Sequence, residues 1–230
     1  MRLVLWDIDG TLVHTAGHGR HAFGEAFAAV FGREIDVTAL EMAGRTDHSI
    51  THALLEANAA GEDDSHLPRM LEELNAALEG RRERIAAEGW AMPGSLEALE
   101  ALAGRPEVVQ SLLTGNIEPN AALKLSAFGL DRLVDLEIGG YGSHHGVRAE
   151  LVDIAREKAA RLRGIEVDPA DTVLIGDTPL DVEAARGAGA RAVAVASGPY
   201  GVEELERTGA DAVLADLRDT AAVLQALAVD

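Results

Sequence analysis

The chain contains no cysteine, which excludes disulfides, thiolate metal sites and a cysteine nucleophile. It has almost no lysine. Of twenty basic residues only Lys124 and Lys158 are lysines, so any role that demands an amine has two candidates. Positive charge is scarce altogether: a formal net charge of −19 argues against a nucleic-acid backbone or an anionic membrane as partner, since both call for a basic surface. No apolar stretch approaches the roughly 20 residues that span a bilayer, and there is no internal repeat or low-complexity tract. The N-terminus opens on a strand-like segment without the basic region and cleavage site of a secretory signal, so the expected compartment is the cytoplasm.

What is present is ordinary globular material, with 47 % hydrophobic and 26 % charged residues. At 230 residues there is room for one generous domain or for a core carrying a smaller insert. Continuous apolar runs ending in polar residues recur at Leu3–Trp6, Val108–Leu113, Leu133–Ile138, Thr172–Ile175 and Ala192–Ala196, as expected of strands buried on both faces of a parallel sheet. Helical patterns separate them at Ser95–Ala103, Pro119–Phe128, Ala149–Leu162, Pro179–Ala188 and Val202–Arg207, and a short strand at Ala212–Leu214 with a helix from Thr220 closes the series. The alternation predicts a doubly wound, Rossmann-like α/β fold. Residues 15–90 break it with helical periodicity alone, seen in Phe23, Phe27, Val30 and Phe31, in Ile50, Leu54 and Ala57, and in Leu67, Met70, Leu71, Leu74 and Leu78. The expected division is therefore a core of 1–14 and 91–230 with an all-helical insert of 15–90, bordered by Gly17 and Gly19 and by Pro93-Gly94.

In an open α/β sheet the ligand crevice lies outside the carboxyl ends of the strands. Asp7 and Asp9 follow the first run, Thr114-Gly115-Asn116 the second, the loop Gly139–Arg148 the third, and Asp177 and Asp181 the fourth. Four carboxylates at one place repel one another unless a cation neutralises them. Hard oxygen ligands at that density favour Mg²⁺ over a transition metal.

The segments DIDGT (Asp7 to Thr11), LLTGN (Leu112 to Asn116) and IGDTPLD (Ile175 to Asp181) resemble motifs I, II and IV of the haloacid dehalogenase-like hydrolase superfamily, in that order. The helical insert is similar to the C1 cap of its phosphoglycolate-phosphatase-like and β-phosphoglucomutase-like members. The resemblance implies a phosphatase acting on a small phosphorylated metabolite. Asp7 would attack phosphorus and form an aspartyl phosphate, and Asp9 would protonate the leaving oxygen and then activate water. Mg²⁺ would be held by the Asp7 carboxylate, the Asp9 main-chain carbonyl and Asp177, with Asp181 steadying the site from behind. Thr114, Gly115, Asn116 and the amides of a helix opening at Ile117-Glu118 would bind phosphate oxygens. A second reading of Asp181 is as the cap of the helix after Pro179.

The chain departs from the family where most members carry a lysine before motif IV, since GSHHGVRAEL stands there. Arg148 is the first candidate to pair with Asp7 and the phosphate, because a guanidinium does so bidentately. Lys124 is the rival, reaching back from the helix after Thr114, or else an ordinary helix-surface lysine. Lys158 reads as solvated. In AGRTDHS (Ala43 to Ser49) Arg45 is placed to reach an anionic substrate tail, while Thr46 or Asp47 serves as a helix N-cap. His14 is expected to border the site, and His144 and His145 to be exposed loop residues or gate-like neighbours. Asp9 disfavours dehalogenation, and the absence of lysine from residues 15–90 excludes a Schiff-base phosphonate hydrolase of this cap class. A phosphosugar mutase, and a retired enzyme serving as a phospho-ligand sensor, remain as alternatives.

Overall fold

The computed structural model describes residues 1–38, 40–60 and 64–228. Strand β1 (Arg2–Trp6) buries Val4 and Trp6 in one apolar cluster and Leu3 and Leu5 in another. Successive side chains of a strand point to opposite faces, so an unbroken apolar run is what a central strand covered on both sides requires. The remaining strands of that sheet are β4 (Val108–Thr114), β5 (Gly140–Tyr141), β6 (Thr172–Gly176), β7 (Arg191–Val195) and β8 (Ala212–Leu214). They lie in the order β5-β4-β1-β6-β7-β8, and every pairing is parallel.

Helices α5 (Ser95–Ala103), α6 (Glu118–Ser126) and α10 (Thr220–Ala226) supply apolar residues to one face. The other face is covered by α7 (Arg148–Arg163), α8 (Pro179–Gly187) and α9 (Val202–Glu206). The sheet is therefore doubly wound. Strand β1 lies between β4 and β6, so Asp7, Thr114 and Asp177 come off three adjacent strands at the same edge.

One expected strand is absent. Residues 131–133 and 136–138 form 3₁₀ turns, and the third strand is the short β5 beyond them. The apolar run contains Asp135 and Glu137, which a buried strand cannot hold unpaired. The Asp135 carboxylate instead accepts from the Glu137 amide at 3.1 Å and pairs with Arg163, while Leu133, Val134 and Leu136 pack on the core from the edge.

Between β2 (Val13–His14) and β3 (Trp90–Ala91), which pair antiparallel, lie four α-helices among the described residues: α1 (His18–Phe31), α2 (Asp47–Ala57), α3 (Leu67–Glu79) and α4 (Arg82–Glu88). Their facing residues, among them Phe23, Phe27, Leu54, Met70, Leu74 and Ile85, make a third apolar cluster, and Leu123 of α6 joins it. Ala57 is exposed, and its place in the packing is taken by Leu55. No described helix is long and apolar enough to cross a membrane.

Candidate active site

Strand β1 delivers Asp7 with its amide still bonded to the Ile175 carbonyl at 2.8 Å, so the nucleophile candidate is part of the sheet's ladder. The chain then turns, and Gly10 takes φ +86°, a left-handed conformation that costs other residues strain. A Cβ there would also stand 2.5 Å from Asp177 Oδ2. The turn throws the Asp9 side chain outward, where it is 45 % exposed. Asp177 is buried and accepts a hydrogen bond from Thr11 Oγ1 at 2.9 Å.

Two cations flank β1. Arg148, the first residue of α7, places Nη2 3.0 Å from Asp7 Oδ1 and also donates to Asp181. Lys124 reaches back from α6 and donates to both Asp9 oxygens, at 2.8 and 2.6 Å, and to Asn116 Oδ1 at 2.6 Å. Asn116 in turn donates from Nδ2 to Asp9 Oδ2 and to Thr114 Oγ1, both at 2.8 Å. Asp181 combines its two expected roles: Oδ2 accepts from the Thr178 amide and hydroxyl in a capping box, and Oδ1 accepts from Arg148. Lys124 is thus a buried member of the site rather than a helix-surface lysine.

The carboxylates respond to their surroundings. Burial pushes the Asp7 carboxyl up; Arg148 opposes this, but Asp181 and Asp9 add to it, and the group titrates at about 6. Asp177 is raised well above the usual carboxylate value by burial and by the charges of Asp7 and Asp181. For Asp9 desolvation also pushes upward, but Lys124 and the Asn116 amide more than reverse it and hold the group low. Oxygens of Asp7, Asp177 and Asp181 lie within 4.8 Å of one another. Three buried carboxylates, of which Asp7 and Asp177 resist ionisation, are all hard donors and fit a divalent cation.

The insert reaches into the same place. Thr46 is the N-cap of α2, accepting from the Ser49 amide at 3.1 Å. That leaves the neighbouring Asp47 carboxylate to cross to the core, where it accepts the Ile117 amide at 2.9 Å, while the Asp47 amide donates to the Gly115 carbonyl at 2.7 Å. A Cβ on Gly115 would stand 2.0 Å from the Arg45 carbonyl, so only glycine admits this approach. Two of the amides expected to face phosphate are consequently engaged, Ile117 by Asp47 and Asn116 by Thr114 Oγ1 at 3.3 Å. Burial raises Asp47 to about 6, against the opposing pull of Lys124 and the Ile117 amide.

A cavity of about 580 Å³ lies between insert and sheet edge. Asp7, Asp9, Thr114, Gly115, Asn116, Arg148 and Asp177 all line it, as do His14 and Arg45; Asp181 and Lys124 stand behind this lining. Arg45 donates to the Ser49 carbonyl at 3.0 Å, within the insert itself. His144 and His145 are exposed and do not line the cavity. Lys158 is not simply solvated: it donates to the Gly139 carbonyl at 3.0 Å and lies 5.4 Å over the Tyr141 ring. Asp47 and Thr11 are the site residues that sequence reasoning missed. Thr11 stood inside the quoted DIDGT segment, whereas Asp47 carried only the signal of a helix start.

A parallel sheet that ends in a carboxylate cluster, with a helical insert after its first strand, defines a doubly wound α/β fold with an acidic centre. The family model for haloacid dehalogenase-like hydrolases matches residues 4–186, and the chain belongs to that enzyme family. No curated protein matches the chain. Among solved structures it is similar to a hydrolase from Pseudomonas syringae (24 % identity, 98 % of each chain covered, TM-score 0.73). A protein from Haemophilus somnus described as a predicted phosphoglycolate phosphatase shares 18 % identity over 98 % of each chain, with a TM-score of 0.66. A haloacid dehalogenase-family hydrolase from Deinococcus radiodurans, with bound phosphate and sodium, shares 26 % identity over 98 % of this chain and 96 % of its own, with a TM-score of 0.57.

Proposed function

We propose that the protein is a phosphatase that hydrolyses a small phosphomonoester through an aspartyl phosphate on Asp7. The observation that carries this reading is the pairing of two aspartates in opposite states on one cavity wall: Asp7 buried beside Arg148, and Asp9 half exposed and held by Lys124 and Asn116. Asp7 attacks phosphorus in line, forming the O–P bond as the bond to the leaving oxygen breaks. Asp9 gives that oxygen its proton, then takes one from the water that attacks the phosphoenzyme and frees Asp7. A phosphate dianion beside Asp9 adds like charge and lifts its carboxyl toward the acid form this step needs. Arg148 lines the cavity with Nε buried and without a hydrogen-bond partner, a donor that a phosphoryl oxygen reaching it would satisfy.

Asp7, the Asp9 main-chain carbonyl and Asp177 would hold Mg²⁺, with Asp181 fixing Arg148 behind them. The cation would neutralise the carboxylates and draw charge from the phosphoryl oxygens. Residues 15–90 act as a cap that closes over the cavity and excludes water. The test is release of inorganic phosphate from 4-nitrophenyl phosphate in the presence of Mg²⁺, with Asp7→Asn expected to abolish turnover while leaving the circular dichroism spectrum intact. A sizeable residual rate in Asp7→Asn would rule out the covalent route.

A further inference from the structure

We infer that the leaving group of the substrate carries a flat, uncharged ring, which packs against Trp90; this rests on the phosphatase reading above. Trp90 is a large apolar residue, 47 % exposed, and it lines the catalytic cavity. Its ring stacks on His14 with centroids 4.1 Å apart and planes 16° from parallel. A stacked pair of this kind presents an aromatic surface whose hydration is unfavourable until another flat or apolar group covers it.

The wall is fixed to the chemistry. His14 pairs with Trp90 across the β2–β3 ladder, the Gly10 amide donates to the Val13 carbonyl at 2.9 Å, and the Met92 amide donates to the Leu12 carbonyl at 2.8 Å. Trp90 is therefore tied by backbone hydrogen bonds to the turn that carries Asp9. Val13, Met92 and Pro199 extend the apolar lining from the core, and Met42 and Ile50 extend it from the insert.

Charge argues for an uncharged ring. The two lining arginines outside the sheet edge are held by carbonyls of the insert: Arg20 donates to those of Val37, Thr38 and Leu40, and Arg45 to that of Ser49. Arg148 is shared between Asp7 and Asp181. Trp90 and the core residues beside it, Val13, Met92 and Pro199, carry no cation to pair with a second anionic group, so the anionic tail expected for Arg45 is not what this wall favours. The volume of about 580 Å³ lies well within the range of sites that enclose whole ring-bearing ligands.

The test compares esters that differ only in the ring. Benzyl phosphate against ethyl phosphate, and adenosine 5′-monophosphate against ribose 5-phosphate, each keep a primary alkoxide as leaving group. The expected result is a kcat/KM at least tenfold higher for the ring-bearing member of one pair or both, and a ring-over-ringless ratio that falls at least fivefold in Trp90→Ala. Trp90→Leu, which retains apolar bulk, should show an intermediate ratio. Binding without turnover gives an independent reading: only Trp6 and Trp90 are tryptophans and Trp6 is fully buried, so benzyl phosphate should shift the emission of the exposed indole to shorter wavelength in Asp7→Asn where ethyl phosphate does not. Hydrolysis of both members of each pair with equal or reversed preference would overturn the ring inference and leave the phosphatase reading standing. Release of phosphate from none of the four, nor from 4-nitrophenyl phosphate, would overturn the phosphatase reading itself.

Discussion

On one side of β1 a guanidinium meets Asp7, and on the other an ammonium meets Asp9, yet the two carboxylates are driven in opposite directions. Asp7 is raised to about 6, whereas Asp9 is held low. Distance does not separate them, since the contacts are 3.0 Å and 2.6 Å. What differs is how many carboxylates each cation serves. Arg148 is divided between Asp7 and Asp181 with Asp177 close by, and Asp7 and Arg148 are both more than nine-tenths buried. Lys124 hydrogen-bonds one carboxylate only, giving Asp9 two hydrogen bonds besides the one to Asn116; Asn116 adds a third to Asp9, and nearly half of the Asp9 side chain meets solvent. A shared cation in a buried site leaves charge uncompensated. The deep side therefore suits a nucleophile and a bound cation, and the open side suits a group that moves protons.

Removing the cation from each side would test that contrast most directly. Arg148→Ala should lower kcat about a hundredfold or more, because it removes the fixed positive charge beside the atom that attacks phosphorus. Lys124→Ala should cost about tenfold and should shift the Asp9 limb of the pH–rate profile upward, since the ammonium is what holds that carboxyl low. Steady-state kinetics on both variants, with thermal melts to confirm folding, checks the pair. The reverse ranking would assign the phosphate-side cation to Lys124.

A smaller effect should appear in stability. Asp177 is raised in the folded protein, so at neutral pH its ionised form opposes folding. Asp177→Asn should raise Tm by several degrees in chelator and lose the rise that Mg²⁺ produces in the unaltered protein. An unchanged response to Mg²⁺ would take Asp177 out of the ligand set.

The smallest effect is expected where the insert meets the sheet edge. Asp47 titrates at about 6 when folded, against 3.8 as its ordinary value, so between these values the folded state holds more protons than the unfolded one. Its contribution thus falls as pH rises from about 4 to 6 and stays lowered above that. Asp47→Asn keeps an acceptor for the Ile117 amide and removes the charge. It should match the unaltered protein near pH 3.5 and exceed it by a few degrees in Tm at pH 7; equal Tm values at both pH values would show that Asp47 is not held protonated by burial.

The central strands were legible because a strand covered on both faces is apolar along most of its length, as Leu3–Trp6, Val108–Leu113 and Thr172–Ile175 are apart from Gln110, Ser111 and Thr172. The same signal misled at Leu133–Ile138. There the run belongs to the edge of the sheet, where Asp135 and Glu137 reach Arg163 and 3₁₀ turns replace the ladder. Among site residues, those immediately after strands could be read from their place, since the carboxyl edge of a parallel sheet gathers them.

The sequence by itself determined the doubly wound sheet, the helical insert after the first strand, and the set of aspartates that follow β1 and β6, because apolar periodicity and strand-end position are local properties of the chain. Only the tertiary structure decided which cation serves which carboxylate. Arg148 and Lys124 are separated from Asp7 and Asp9 by more than a hundred residues, and their reach depends on where two helices pack. It also decided that Asp47, in sequence no more than a helix start, lays its carboxylate on the Ile117 amide, and that Trp90 stands in the wall of the cavity. The first follows from how closely the insert and the sheet edge approach and the second from the pairing of β2 with β3, neither of which a local pattern encodes.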